Sequence, residues 1–279
     1  MTQDNPIYDF LTSTLKGAKV SDFHLHADRP VHVRDSGDIK SANFIATNDM
    51  LADLFRQELG EEGFAAFEQS GDVDFAIQYE GQRFRASGYK MMQGFALVLR
   101  VIVTDVPHID ALGLPPAVHQ VLTRKSGLVL VTGQTGSGKS TSLAAMVDKI
   151  NRERAENIIT VEDPIEFVHQ SKKSIITQRE VGRDTKTFAS ALKGALRQDP
   201  DIILMGELRD YETVSMALTA AETGHLVFGT LHTNGAPETI NRIIDVFPAE
   251  EQAQARSQLS QSLRLVMTCL LYTSPSPRD

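Results

Sequence analysis

The sequence predicts an α/β protein of two domains, the second of which is built on a mostly parallel sheet. The chain has 279 residues, 41% of them hydrophobic, which is enough to form two cores of ordinary size. In the second half, short apolar runs alternate with stretches of helical period, a pattern typical of parallel strands covered by helices on both faces. Three prolines and a glycine fall between residues 104 and 116, and they indicate a linker between the domains.

The first domain is expected over residues 1–103 as a small α/β unit. Apolar residues recur at helical spacing over residues 50–59, a polar residue among 47–49 can cap this helix, and Gly60 is expected to end it. Candidate strands cover residues 22–25, 31–33, 73–79, 83–89 and 95–103.

The second domain is expected over residues 117–268, after the linker at 104–116. Strands that are apolar along their whole length are predicted at 127–132, 158–161, 202–205 and 226–231. Helices are predicted at 139–151, 187–197 and 212–221, and a further amphipathic stretch covers 251–267. The regular alternation of apolar strand and helix favours a sheet that is mostly parallel.

The composition argues against some classes of protein. With 28 basic and 36 acidic residues, the net charge is −8, so the chain as a whole has no positive field to hold nucleic acid or an anionic membrane. The single cysteine, Cys269, excludes an internal disulfide. No apolar run approaches the ~20 residues that cross a bilayer. We therefore expect a cytoplasmic protein whose association with any membrane comes only through partners.

A glycine-rich segment, VTGQTGSGKST, lies where the strand at 127–132 passes into a helix. It matches the phosphate-binding loop pattern in the context that this pattern requires. Glycines let the backbone curl so that N–H groups point at phosphate oxygens, and the positive end of the following helix reinforces them. Lys139 is expected to reach the β- and γ-phosphates, and Ser140 to be a ligand of Mg²⁺. The predicted nucleotide-binding residues are Gly133, Gln134, Thr135, Gly136, Ser137, Gly138, Lys139, Ser140 and Thr141.

Two acidic clusters follow, each at the end of a predicted strand. The first contains Glu162, Asp163 and Glu166, and the second ends at Glu207. Because the carboxyl ends of strands in an open α/β sheet converge on the ligand, these carboxylates can meet a metal ion or an attacking water. Hydrolysis needs one carboxylate to polarise water and others to support Mg²⁺.

Two histidines, His225 and His232, flank the predicted strand at 226–231. Their separation of seven residues is odd, so in an extended strand they point to opposite faces, which argues against metal binding by the pair. A hydrogen-bonded structural role, sensing of the γ-phosphate and a subunit contact all remain open.

Four segments in order, GQTGSGKST, ITVEDPIEF, DPDIILMGELRD and AAETGHLVFGTLHT, closely resemble the secretion ATPase superfamily and, within it, the PilT-like type IV pilus retraction motors. The resemblance extends from residue 5 to residue 268. It implies a homohexameric motor driven by ATP and Mg²⁺, with a PAS-like N-terminal domain, a flexible linker and a RecA-like P-loop ATPase core. It also implies an inner-membrane pilus platform as the partner.

The resemblance implies roles for the acidic and histidine clusters. Glu166 is expected to activate water, and Glu207 to be the Walker B acid beside Mg²⁺. Glu162 and Asp163 are expected to support them, with Asp163 close to the metal. The two histidines, at 225 and 232, match the pair in the His box of the superfamily.

The resemblance further implies that arginines of the first domain act as arginine fingers on the γ-phosphate. The candidates are Arg83, Arg85 and Arg100, and the first two share a strand face because they are two residues apart. A planar guanidinium suits phosphate oxygens, and such a contact can raise the rate ~10³-fold or more. The alternative is that exposed arginines merely keep a strand edge soluble.

The resemblance stops at residue 268, where members of the superfamily continue into a helical C-terminal region. This chain ends in CLLYTSPSPRD instead. We expect a truncated sequence in which residues 269–279 are a non-native or disordered tail.

Other functions are less favoured by the sequence. A pilus-extension, type II secretion or conjugation ATPase is the alternative within the superfamily, but the short N-terminal region and the single cysteine favour the retraction type. A RecA-like nucleic-acid translocase conflicts with the net charge of −8. A small-molecule kinase needs an acceptor pocket and a lid, and the sequence indicates neither.

Overall fold

A computed structural model describes residues 5–16, 20–102 and 106–270 of the chain. Two compact units divide between residues 104 and 105. The predicted tail beyond residue 270 lies outside the described residues, as do positions 103–105 of the predicted strand end and linker.

Over residues 5–16 and 20–102, the first unit contains two helices and six strands. The helices are α1 (Pro6–Leu15) and α2 (Asn48–Ser70), and the strands are β1 (Val20–His26), β2 (Arg29–Asp35), β3 (Asp38–Ala46), β4 (Asp72–Tyr79), β5 (Gln82–Met91) and β6 (Gly94–Ile102). They form one sheet in the order β3-β2-β1-β6-β5-β4, and its neighbouring strands are antiparallel.

Burial alternates along the strands of the first unit. On β5, Phe84 and Ala86 are buried while Arg85 and Ser87 are exposed. The buried side chains join apolar residues of α1 and α2 in one core, so both helices cover the same face of the sheet. The other face carries polar side chains. At Gly60 the backbone has φ 72° and kinks α2, where the sequence predicted that the helix would end, and helix resumes beyond it.

The second unit contains six helices and six strands in its described part. The helices are α3 (Pro116–Val121), α4 (Lys139–Glu153), α5 (Phe188–Ala195), α6 (Tyr211–Glu222), α7 (Ala236–Asp245) and α8 (Gln252–Ser262). The strands are β7 (Gly127–Thr132), β8 (Asn157–Glu162), β9 (Ile175–Glu180), β10 (Ile202–Met205), β11 (Leu226–Leu231) and β12 (Leu263–Thr268).

All six strands of the second sheet run parallel, in the order β12-β7-β11-β10-β8-β9. Every residue of β7, β10 and β11 is buried, and separate apolar clusters lie on the two faces. The prediction of a mostly parallel sheet covered on both faces is therefore confirmed.

The sequence prediction missed several elements. β3 is an edge strand whose residues are largely exposed, and β9 is an edge strand of exposed and half-buried residues, so neither shows the apolar run by which the inner strands were recognised. The short helices α1 and α7 were also missed. The amphipathic stretch at 251–267 is two elements, because the chain turns from α8 into β12 at Leu263.

The predicted linker differs from a free connection in its described part. A one-turn 3-10 helix covers Ile109–Leu112, and Ile109 is fully buried in a core that it shares with α4. This part of the segment therefore packs on the second unit.

Candidate functional site

The carboxyl ends of the parallel strands meet at one edge of the second sheet. Thr132 at the end of β7 is level with Leu231 at the end of β11, and Met205 at the end of β10 is level with Val161 near the end of β8. The segments that follow these strands contain the glycine-rich loop and both acidic clusters. Parallel topology thus brings together motifs that are far apart in the sequence.

The glycine-rich loop is a curled turn between β7 and α4. Gly133, Gly136 and Gly138 all have positive φ values, of 138°, 79° and 90°. Gly138 caps α4, and no side chain caps the first turn of this helix. The first N–H groups of a helix have no partners within the helix, so this end of α4 can bind an anion.

Lys139 is buried at the start of α4. Its Nζ donates to the carbonyl oxygens of Gly133 at 2.7 Å and Gln134 at 2.9 Å. Burial lowers the pKa of Lys139, whereas the negative charges of Glu207 and Glu166 act in the opposite direction. Both carboxylates therefore lie within electrostatic reach of the ammonium group.

The loop has the form of a phosphate cradle. A Cβ added at Gly133 would lie 2.5 Å from Ser137 Oγ, so only glycine allows the backbone to curl this tightly. Ser137 Oγ is buried and has no hydrogen-bond partner within the described part of the chain. An uncapped helix end, a buried ammonium group and an unpartnered hydroxyl together suit a phosphate group.

Glu207 lies two residues beyond β10 and contacts two cationic or polar side chains. Arg209 Nε forms an ion pair with Glu207 Oε1, and His232 Nε2 lies 3.5 Å from Glu207 Oε2. The hydroxyl of Thr230 donates to the carbonyl of Gly206, which ties the segment after β10 to β11. The structure therefore brings His232 and Glu207 together.

Glu162 ends β8 in an enclosed position. Its Oε1 accepts hydrogen bonds from Thr160 Oγ1 at 2.6 Å and Gln178 Nε2 at 3.2 Å. Burial raises the pKa of Glu162 to about 7, the hydrogen bonds oppose this rise, and the charges of Glu166 and Glu180 add to it. This carboxyl group can therefore hold a proton near neutral pH.

Asp163 and Glu166 follow Glu162 and are both exposed. Between them Ile165 is buried and anchors the segment. The contact with Glu207 raises the pKa of Arg209, and the charge of Asp163 adds to the rise, so Asp163 lies on the side of Glu207. Because Glu166 is exposed, water can reach its carboxylate, as a group that activates water requires.

His225 lies at the opposite end of β11 from His232. Its Nδ1 is 2.9 Å from the carbonyl oxygen of Ala220, a contact that holds the turn between α6 and β11. The six residues of β11 span about 20 Å. Within one chain, His225 and His232 therefore lie at opposite ends of β11, and the roles that the resemblance implies for the two stay predictions.

The three candidate arginine fingers lie on the polar face of the sheet of the first unit, opposite the face that α1 and α2 cover. Arg83 and Arg85 flank the buried Phe84 on β5, and Arg85 is directly opposite Arg100 on β6. Arg100 Nε donates to Asp22 Oδ1 at 2.9 Å. The structure brings the three arginines onto one face, as their spacing predicts for the first two.

Sequence reasoning missed Arg209, Gln178 and Glu180. Arg209 follows Glu207 by two residues in GELRD, and this spacing was the only available signal. Gln178 and Glu180 are half-buried residues of β9, an edge strand that the sequence pattern did not reveal.

No helix among residues 5–16, 20–102 and 106–270 combines the length and apolar character needed to cross a membrane. In the same ranges, His, Cys, Asp and Glu side chains form no group of three or more that could hold a metal ion.

Comparison with known proteins gives consistent matches. The family model for type II/IV secretion system proteins matches residues 65–275. The type IV pilus retraction ATPase PilT of Pseudomonas aeruginosa is 48% identical over 250 residues, which cover 89% of this chain and 73% of the relative. A twitching motility protein of Neisseria gonorrhoeae is 47% identical over 238 residues, covering 85% of this chain and 64% of that protein.

A solved structure of the pilus retraction motor PilT with bound ADP has a TM-score of 0.87 to this chain. It is 47% identical and the match covers 94% of this chain and 77% of that chain. These matches confirm the resemblance carried by the four sequence motifs, and they confirm the α/β fold class with a P-loop core.

Proposed function

We propose that this chain, which belongs to the type II/IV secretion system protein family, is the ATP-hydrolysing motor that powers retraction of type IV pili. The observation that carries the proposal is the phosphate cradle, in which a buried Lys139 lies within electrostatic reach of Glu166 and Glu207. Relatives that act in pilus retraction and twitching motility, at 48% and 47% identity, support the same function.

The chain's own residues suggest how hydrolysis proceeds. The loop N–H groups and Lys139 hold the phosphates and neutralise their charge. Glu166 accepts the proton of the attacking water. Mg²⁺, when bound, stabilises the charge on the phosphates, and Ser140, Glu207 and Asp163 supply the oxygen ligands that it prefers.

The remaining parts of the motor are also proposals. Arg83, Arg85 and Arg100 are arginine fingers that add positive charge to the transition state. The working form is a homohexamer in the cytoplasm that acts on an inner-membrane pilus platform. Nucleic acid is not a partner, because the net charge of −8 provides no general attraction for it.

Replacement of Lys139 tests the function. Lys139→Ala is expected to lower ATP turnover at least about 100-fold, because the charge that holds the transferring phosphate is lost. The control is Lys149→Ala, on the same helix, which removes only an ion pair with Glu153. Phosphate release measures turnover, and calorimetry measures binding of MgADP.

The pilus role is tested in a bacterium that lacks its own retraction ATPase. The wild-type chain is expected to restore twitching motility, and Lys139→Ala is not. Unchanged turnover in Lys139→Ala would contradict the nucleotide site. Normal turnover without restored motility would contradict the pilus role alone.

A further inference from the structure

The segment that carries Glu166 is tied to β9 on both sides. The backbone N–H of Ile165 donates to Glu180 Oε2 at 3.2 Å. The backbone carbonyl of Phe167 accepts from Gln178 Nε2 at 2.9 Å. Because Ile165 and Phe167 are the neighbours of Glu166, the main chain is fixed immediately before and immediately after it.

Gln178 makes two further hydrogen bonds in the same region. Its Oε1 accepts from the backbone N–H of His169 at 2.7 Å, and its Nε2 also donates to Glu162 Oε1 at 3.2 Å. One amide group thus connects the end of β8 to two points of the following segment. Displacing that segment would break several hydrogen bonds at once, each of them costly where water is partly excluded.

The register of the strands explains this arrangement. In the parallel pair β8 and β9, Thr160 is opposite Gln178 and Glu162 is opposite Glu180. Paired residues on neighbouring strands share a face of the sheet. The side chains that hold the segment therefore come from the same face as Glu162, whereas Thr177 of β9 points to the other face.

We propose that Gln178 and Glu180 are positioning residues that hold the Glu166 carboxylate where it can activate water. This inference rests on the proposed function, in which Glu166 accepts the proton. Neither residue needs to touch the nucleotide, because both act through the backbone on either side of Glu166. A misplacement of a catalytic group by about 1 Å can lower a rate about 100-fold.

Variants at both positions test the inference. Glu180→Ala removes the acceptor for Ile165 and is expected to lower kcat about 10-fold, whereas Glu180→Gln keeps an acceptor oxygen and is expected to stay within about 2-fold. Gln178→Met keeps the length of the side chain without its donors or acceptor, and is expected to lower kcat between about 10- and 100-fold. KM and the Kd for MgADP should change less than about 2-fold, because the phosphate cradle is untouched.

The matched control is Thr177→Ala, an exposed position on the same strand, which should keep the wild-type kcat. A fall in kcat for Thr177→Ala equal to that for Gln178→Met would overturn the inference, since it would indicate general damage to β9. If Gln178→Met or Glu180→Ala weakens binding of MgADP as much as it lowers kcat, the inference is also overturned, since the whole site would then be damaged.

A double variant separates this inference from the proposed function. If Gln178 acts through Glu166, adding Gln178→Met to Glu166→Gln should lower kcat no further, whereas two independent losses would multiply. Multiplied losses would overturn the positioning role. If Glu166→Gln lowers kcat but Gln178→Met and Glu180→Ala do not, the positioning role alone is wrong. If Glu166→Gln itself keeps the wild-type kcat, the role assigned to Glu166 is wrong, and the inference that depends on it is wrong as well.

Discussion

Glu162 in the second unit and Asp22 in the first are both carboxylates with restricted access to water, and their pKa values are shifted in opposite directions. Burial raises the pKa of Glu162, in the second unit, to about 7. Burial also acts to raise the pKa of Asp22, in the first unit, but hydrogen bonds from Arg100 and Ser21 hold it below its usual value. Loss of water around the charge acts to raise the pKa of both carboxyl groups. The neighbouring side chains therefore decide whether the pKa ends above or below its usual value.

Sheet topology supplies those neighbours. In the antiparallel sheet, Asp22 on β1 is directly opposite Arg34 on one side and Arg100 on the other, so opposite charges meet across strands. In the parallel sheet, strand ends converge, and Glu162 lies near the charges of Glu166 and Glu180. The carboxylates at the edge of the parallel sheet suit binding of Mg²⁺ and proton transfer. The paired charges on the antiparallel sheet stabilise the fold instead.

The largest expected effect is on the pH dependence of stability. A carboxyl group whose pKa is 4.5 when unfolded and about 7 when folded stabilises the fold below pH 4.5, and this contribution is lost as the pH rises through 7. Glu162→Gln removes the carboxyl group and with it this pH-dependent loss of stability. The change in the free energy of unfolding that the substitution causes should therefore be about 3 kcal/mol more favourable at pH 8 than at pH 4. Urea denaturation followed by circular dichroism at both pH values measures it.

The control for this change is Glu153→Gln, at a position that is 56% exposed at the end of α4. It should leave the pH dependence of stability as in the wild type. If the stability of Glu162→Gln depends on pH as that of the wild type does, then folding does not raise the pKa of Glu162, and the contrast with Asp22 is wrong.

The parallel sheet was the more predictable of the two. Its inner strands are apolar at every position, as in Ile202–Met205 of β10, so the pattern is visible in one sequence. The phosphate cradle could also be located, because its glycines are followed by Lys139 and Ser140 at the spacing of the phosphate-binding loop between a strand and a helix. The antiparallel sheet was less predictable, since β3 is mostly exposed and the central pairing joins β1 to β6, which lies far along the chain.

The partners within the site could not be predicted from sequence. Gln178 and Glu180 reach the segment around Glu166 only because β9 lies beside β8, and strand order is not encoded in a local pattern. The separation of His225 from His232 follows from the length of β11 once that strand is known to be extended. Contacts of this kind depend on tertiary packing, whereas motifs depend on local spacing.

A smaller effect is expected from two buried glycines, one in each sheet. In the parallel sheet a Cβ at Gly229 would lie 2.5 Å from Leu208 Cδ1, the far end of a flexible side chain, and in the antiparallel sheet a Cβ at Gly88 would collide with the ring of Phe55. Phe55 is itself packed against Phe67 and has little room to move. Gly88→Ala should therefore cost about 2 kcal/mol and Gly229→Ala about 1 kcal/mol, measured by urea denaturation.

The control for the glycine pair is Gly235→Ala, because the nearest atom to its added Cβ lies 3.9 Å away. It should change the free energy of unfolding by less than about 0.5 kcal/mol. A larger cost at Gly229 than at Gly88 would contradict the view that the ring cluster of the first unit is the more rigid core.

The smallest expected effect concerns the ion pair on the polar face of the first unit. Arg100 is 68% exposed but donates to a carboxylate of Asp22 that is only 9% exposed, so Arg100→Ala leaves an enclosed charge with fewer partners. The lowered pKa of Asp22 contributes stability above its unfolded value of 3.8, and this contribution is lost as the pH falls through the folded value. Arg100→Ala should lower the free energy of unfolding by about 1 kcal/mol at pH 7 and by less at pH 3, again measured by urea denaturation.

The control is Arg85→Ala, directly opposite on β5, which should lower the free energy of unfolding by less because it removes a like charge from beside Arg100. Equal costs at pH 7 and pH 3 for Arg100→Ala would mean that packing of the arginine stem, and not its charge, holds this face.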